Sequence, residues 1–250
     1  MEKWKIGVIA ALLLSLIGFG VYKQGEETSV AAIQPTPAAT PAALPYVGKT
    51  LPPWKFSQWN TGKGVSTESL KGKPAFVEVF RTGCSHCSEA MPMVVDMSKR
   101  YGARGLKVVG IQSPGDVKDA SNPENDWKAV KTWLSERGAK HPIAFDEGSK
   151  YFQGTIKDTF WGGDGSRLLY PTMMLLDPSG KVIWAQTGHD TAKAVALAVE
   201  LENLLPGQGS KEDRAKGLVK WLQSFDEFFD QLTDPAVAKA LADDIATRLK

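Results

Sequence analysis

Ala75-Phe76-Val77-Glu78-Val79-Phe80-Arg81-Thr82-Gly83-Cys84-Ser85-His86-Cys87-Ser88 is the stretch whose reading decides the fold of this chain. It begins with six residues that are apolar apart from Glu78, the pattern of a strand buried within a parallel sheet. It ends in a C-x-x-C at the head of a helical pattern, with Ala90, Val94, Met97 and Tyr101 at helical spacing. A C-x-x-C at a strand-to-helix turn has the geometry of a dithiol redox centre. Cys84 falls at the helix N-terminus, where unpaired backbone N–H groups and the helix dipole favour a thiolate over a thiol. Cys87 follows on the same face one turn later and can close a disulfide with Cys84. His86 between them adds a positive charge beside the sulfur and makes the disulfide a stronger oxidant.

Cys84 and Cys87 are the only cysteines in 250 residues. A zinc site needs four ligands, and three scattered histidines with no second C-x-x-C do not supply them, so no metal is expected. A purely structural disulfide across so short a loop would restrict the unfolded chain very little. His141 and His189 lack partners at ligand spacing and read as ordinary surface residues. The net charge of +2, without a basic run, gives no reason to invoke nucleic acid.

Working outward, Met1-Glu2-Lys3-Trp4-Lys5 precedes an uncharged apolar stretch from Ile6 to Tyr22. That is about the minimum length for a membrane span and long for a signal-peptide core. Lys3 and Lys5 favour a cytoplasmic N-terminus, which puts the rest of the chain on the periplasmic or extracytoplasmic side of the inner membrane. An uncleaved anchor (residues 1–23) is the favoured reading, and cleavage near Gly18-Phe19-Gly20 with release to the periplasm is the other. Residues 24–45 are an Ala/Pro/Thr-rich tether without a core of its own. Disulfide chemistry is expected in the compartment beyond the membrane.

Trp54 to Trp59 alternates and leads into the turn-rich Asn60-Thr61-Gly62-Lys63-Gly64, consistent with a hairpin entry. A second buried-type strand lies at Leu106–Ile111, a helix near Asn125–Arg137 and a short strand at Ile143–Phe145. A shorter helix over Ser149–Phe160 runs into the loop Trp161-Gly162-Gly163-Asp164-Gly165, which lacks phosphate-loop spacing. Thr172–Leu176 and Lys181–Trp184 flank Asp177-Pro178-Ser179-Gly180 as a hairpin, and Thr191–Leu205 forms a closing helix. This order predicts an α/β sheet with helices on both faces.

From about Pro53 to Leu205 the chain resembles the thioredoxin superfamily, in particular its membrane-anchored TlpA-like or redoxin thiol–disulfide oxidoreductases. The resemblance is carried by Ser69-Leu70-Lys71-Gly72-Lys73-Pro74, Cys84-Ser85-His86-Cys87, Pro92, Tyr170-Pro171-Thr172 and Leu176-Asp177-Pro178-Ser179-Gly180-Lys181-Val182. It implies a three-layer thioredoxin-like fold over residues 46–206 and a cis Tyr170–Pro171 bond beside the dithiol. The backbone around Tyr170, Pro171 and Thr172 would then pair with an extended substrate. Glu78 stands six residues before Cys84, where the superfamily places a buried carboxyl beneath the second cysteine; such an acid would have a raised pKa and relay the proton of Cys87. The alternative for Glu78 is a locally exposed edge strand.

Gly83 replaces the tryptophan usual before the first cysteine, which removes a recognition surface and opens the site. Ala90 stands where some cytochrome-maturation reductases carry an acid, and Ser85-His86 is closer to the dipeptide of strong periplasmic oxidants. Peroxidase relatives need a threonine and a proline at positions that are Arg81 and Val77 here. The resemblance implies a redox-active Cys84–Cys87 pair with no metal or organic cofactor. Its partners would be cysteine-containing protein substrates and an upstream redox partner, such as a membrane electron transporter.

Beyond the family region, 210–250 is a helical extension. Leu218, Trp221, Leu222, Phe225, Phe228, Phe229 and Leu232 form a broad apolar stripe, followed by a helix capped at Asp234-Pro235 with Val237, Leu241, Ile245 and Leu249. Two readings stand: a hairpin folded onto its own domain, or a docking surface over 218–249 for a partner or a second copy. The function that contrasts with disulfide exchange is a non-catalytic, membrane-tethered adaptor, in which the thioredoxin-like domain is a scaffold and the C-terminal helices bind an envelope partner.

Overall fold

The computed structural model describes residues 44–114, 123–161, 168–188, 191–225 and 230–250. The expectations for the apolar stretch 6–22, the tether, the glycine-rich loop 162–165, His189, Phe228 and Phe229 fall outside the described residues. Among the described residues no helix is long and apolar enough to cross a membrane.

Among the described residues, five strands form one sheet in the order β3-β2-β1-β4-β5: β1 Ala75–Phe80, β2 Lys107–Gln112, β3 Ile143–Phe145, β4 Thr172–Leu176 and β5 Val182–Thr187. β1 is the central strand, parallel to β2 and antiparallel to β4. β3 runs parallel to β2, and β5 antiparallel to β4. Central placement explains why all six β1 residues are buried: neighbours pair with both of its edges and helices cover both of its faces. Gly110 of β2 permits the close approach of β3, since a Cβ there would lie 2.8 Å from Ile143 Cγ1.

Alternation along β1 feeds separate cores. Ala75, Val77 and Val79 pack with Tyr46, Leu51, Trp54, Tyr151, Phe152 and Ile156 on one face. On the other, Phe76 joins Val94, Met97 and Tyr101 of α1 (Ser85–Gly102) and Leu197, Ala198 and Leu201 of α4 (Thr191–Leu204). Phe80 on that same face meets Cys87, Met91 and Val95 of α1 with Val130 and Leu134 of α2 (Trp127–Glu136). Helix α2 starts later than the sequence pattern suggests, because Asp126 caps it by accepting from the Lys128 amide.

Two local expectations are corrected. Trp54–Trp59 is not a strand of a hairpin; that stretch is held by the Trp54 Nε1 bond to the Val65 carbonyl (2.6 Å) and by an isolated bridge from Trp59 to Ala144. The helix expected over 149–160 is a π-helical segment, Lys150–Ile156, running into α3, Lys157–Trp161. Its register is set by Asp146, whose carboxylate accepts the Tyr151 and Phe152 amides at 2.9 Å each, and by Ser149 at φ 55°.

The C-terminal segment is part of the main core. Ala215, Leu218, Val219, Trp221 and Leu222 of α5 (Lys211–Gln223), with Ala242 and Ile245 of α6 (Pro235–Arg248), are buried among the α1 and α4 side chains. Trp221 donates Nε1–H to Asp96 Oδ2 at 2.7 Å. Buried Glu202 of α4 pairs with Arg104 at 3.0 Å and accepts the Tyr101 hydroxyl at 3.3 Å. Of the two readings of the stripe, its described residues follow the first: they fold onto their own domain.

Candidate active site

The C-terminal end of β1 delivers Cys84 to the mouth of α1. Cys84 is the N-cap residue of α1, in extended conformation (φ −101°, ψ 121°), and its carbonyl accepts the Ser88 amide to start the helix. Its side chain is half-buried, whereas Cys87 has no exposed surface. Both cysteines are thiols in this structure. Helix geometry produces this asymmetry: the first cysteine sits where the chain turns from the sheet, and the second points down into the helix–sheet interface.

Burial pushes the Cys87 thiol far above its usual range, reinforced by a hydrogen bond with Cys84 and by the nearby Glu78. A bond with the Arg81 backbone acts in the opposite direction. Glu78 lies on the α1-facing side of β1, between Gly110 and Met173 of the flanking strands. Its exposure is 0%, and among the described residues neither carboxyl oxygen has a hydrogen-bond partner. Burial alone raises its pKa from 4.5 to about 8. The edge-strand alternative is thereby removed: β1 is central and Glu78 is fully enclosed.

The Tyr170–Pro171 peptide is cis, and the Tyr170 carbonyl accepts the Cys84 thiol across 3.8 Å. The Tyr170 hydroxyl lies 3.2 Å from both Ser113 Oγ and Gln153 Nε2. Ser113 in turn donates to Asp146 at 3.1 Å, so the loop is tied to the same carboxylate that sets the π-helical segment. Thr172, read from sequence as a substrate contact, is buried; its hydroxyl donates to the Leu169 carbonyl at 2.7 Å and shapes the loop from within. Leu169, which sequence reasoning missed, is 61% exposed in the residue before Tyr170. His86 is exposed on the first turn of α1.

Two further expectations change. His141 is not a surface residue: it is 6% exposed, neither ring nitrogen has a partner among the described residues, and burial lowers its pKa to about 4. The space beside Gly83 is not open but is taken by the carboxylate of Glu124. Among the described residues no three His, Cys, Asp or Glu side chains gather as a metal site.

The arrangement brings together a half-exposed thiol, a buried thiol, an unpaired buried carboxyl and a cis-proline loop. The Redoxin family model matches residues 46–201. The thiol-disulfide oxidoreductase ResA of Bacillus thuringiensis (strain Al Hakam) is 28% identical over 145 residues, covering 58% of this chain and 72% of the relative. ResA of Bacillus cereus is 27% identical over 74% of this chain and 87% of its own length. The thiol:disulfide interchange protein DsbE of Pseudomonas fluorescens is 26% identical over 54% of this chain and 62% of its own length. Among solved structures, a thioredoxin-like superfamily protein superposes with a TM-score of 0.51 at 18% identity, over 64% of this chain and 98% of that one.

Proposed function

Because the chain belongs to the Redoxin family, a TlpA-like branch of the thioredoxin superfamily, we propose that it is a thiol–disulfide oxidoreductase that exchanges disulfides with cysteine-containing proteins through Cys84 and Cys87. The observation that carries this reading is the division of labour between the two sulfurs. Cys84 is reachable at the α1 N-cap beside the cis-proline loop, and Cys87 is enclosed above an unpaired carboxyl.

In the reducing direction the Cys84 thiolate attacks a substrate disulfide, forming a mixed disulfide and releasing one substrate thiolate. Cys87 then gives its proton to the Glu78 carboxylate, and its sulfur displaces the second substrate thiolate from Cys84. Two electrons pass to the substrate; Cys84–Cys87 becomes the disulfide, and the released thiolates take up protons. The oxidising direction is the reverse. With a pKa of about 8 Glu78 is mostly protonated at pH 7; its ionised minority accepts the Cys87 proton, and its protonated form returns one in the oxidising direction. His86 stands exposed on the first turn, where its charge would favour the Cys84 thiolate. The Tyr170 and Pro171 backbone with the exposed Leu169 offers an extended apolar edge to a substrate peptide.

The layout of the chain supports an extracytoplasmic setting: an anchor at 1–23 with Lys3 and Lys5 before its apolar stretch, a tether at 24–45, the redox domain at 46–206 and its helical extension at 210–250. An upstream redox partner, such as a membrane electron transporter, would then return the pair to its working state, with no metal or organic cofactor.

The test is equilibration of the full chain in detergent with glutathione buffers, read by thiol alkylation. The expected outcome is one two-electron transition, lost in Cys84→Ser, with Cys87→Ser accumulating the mixed disulfide. A wild-type pair that never equilibrates refutes the proposal.

A further inference from the structure

The loop leading to Cys84 is held by a group that the exchange chemistry does not use. Glu124 stands 41 residues from Gly83 in sequence, yet its Oε1 accepts the Gly83 amide at 2.6 Å. Its Oε2 accepts from Arg81 Nε at 3.0 Å and Nη2 at 2.8 Å. The Glu124 backbone carbonyl accepts from Gln112 Nε2 at 3.2 Å, and Gln112 is the last residue of β2. Glu124 is buried while Arg81 is partly exposed, and the bonds to the carboxylate are charge-assisted. Position 83 is committed to the arrangement, because a Cβ there would overlap Glu124 Oε1. Arg81 also lies over the Tyr170 ring, 5.6 Å from its centroid, and the Tyr170 carbonyl is the acceptor for the Cys84 thiol. Glu124 therefore connects three places: its carboxylate holds the approach to Cys84 and, through Arg81, the cis-proline loop, and its backbone carbonyl holds the end of β2.

We infer that Glu124 is the positioning residue of the redox pair: it fixes the Gly83 amide and balances the charge of Arg81, which stands three residues before Cys84 and lies over the Tyr170 ring. The inference rests on the dithiol reading above. Its consequence has a definite sign. Glu124→Gln keeps an oxygen able to accept from Gly83 but removes the negative charge. The Arg81 cation, left unbalanced near Cys84, then favours the thiolate and hence the dithiol form over the disulfide. Glu124→Ala removes both functions. Gly83→Ala displaces the carboxylate from the other side, so its effect and that of Glu124→Ala remove the same contact and cannot add.

The experiment is glutathione equilibration of the full chain in detergent for wild type, E124Q, E124A, G83A and G83A/E124A, with circular dichroism as a check of folding. The expected result is an E124Q equilibrium shifted toward the dithiol by about three- to tenfold, the range of one partly screened charge near the sulfur. G83A and E124A should be non-additive by about threefold or more. An E124Q equilibrium within about twofold of wild type, even if its melting temperature falls, overturns the inference and leaves the redox reading standing. Additivity of G83A and E124A overturns it equally, and that cycle decides the matter if E124Q does not fold. Failure of wild type to equilibrate overturns the redox reading and this inference with it.

Discussion

Replacing Glu78 by glutamine should make the reduced protein more stable, by an amount that grows with pH. Glu78 is enclosed with both carboxyl oxygens unpaired, and its pKa rises from 4.5 to about 8. Between those values the folded state holds a proton that the unfolded chain has released. The group's stabilising contribution is thus present below pH 4.5 and lost as pH rises through 8. The full shift corresponds to about 5 kcal/mol, and at pH 7 the penalty is about 3 kcal/mol. The pH 7 figure depends weakly on the folded pKa, because there the unfolded carboxyl is ionised and the folded one is largely neutral. Glutamine keeps the shape without a charge. The stability difference between Glu78→Gln and wild type should therefore widen by about 3 to 4 kcal/mol between pH 5 and 8. His141 titrates in the lower part of this range but is common to both proteins and cancels in the difference. Urea unfolding in a phosphine reductant, at half-unit pH steps, measures it. Curves for the two proteins that stay parallel within about 1 kcal/mol would refute the enclosed-carboxyl account, and with it the proton relay assigned to Glu78.

His141 should behave in the opposite sense. Its folded pKa of about 4 lies below the ordinary 6.5, so its contribution is complete above pH 6.5 and falls away as pH drops toward 4. The loss is about 3 kcal/mol, and His141→Phe should abolish that part of the acid sensitivity in denaturant unfolding at pH 4.5 against pH 7. Leu222→Ala should cost about 2 to 5 kcal/mol and leave a single unfolding transition, because the extension shares its core with α1 and α4. A separate early transition would show the extension to be an independent unit. Tyr170→Phe removes the hydroxyl that lies against Ser113 and Gln153. It should lower stability by about 1 kcal/mol and reduce the rate of substrate reduction, while leaving the glutathione equilibrium of the pair unchanged.

The sequence alone determined the features written in local periodicity and local chemistry. The run Ala75–Phe80 reads as a buried strand because its residues suit a sheet covered on both faces, and its bounds match the observed strand. Cys84 at the α1 N-cap and the hairpin around Asp177-Pro178-Ser179-Gly180 follow from turn and cap chemistry acting over a few residues. The cis bond at Tyr170–Pro171 came through family resemblance, since nothing local distinguishes it from other X-Pro bonds.

What depends on residues far apart in the chain was decided by tertiary structure. Thr172 faces inward and Leu169 outward because the loop winds around the Thr172–Leu169 bond. His141 is buried because the chain from Trp59 and Asn60 packs over β3, where Asn60 Nδ2 donates to the His141 carbonyl at 3.0 Å. The apolar stripe of the extension could serve a partner or its own domain equally well as a pattern. Only the geometry of α1 and α4 shows where its described residues pack. Gly83 is the sharpest case: its missing side chain reads as open space in the sequence, and the occupant is a carboxylate 41 residues away. Local preference acts over a turn or two, whereas the burial and pairing of a charge are settled where distant segments meet in a medium without water.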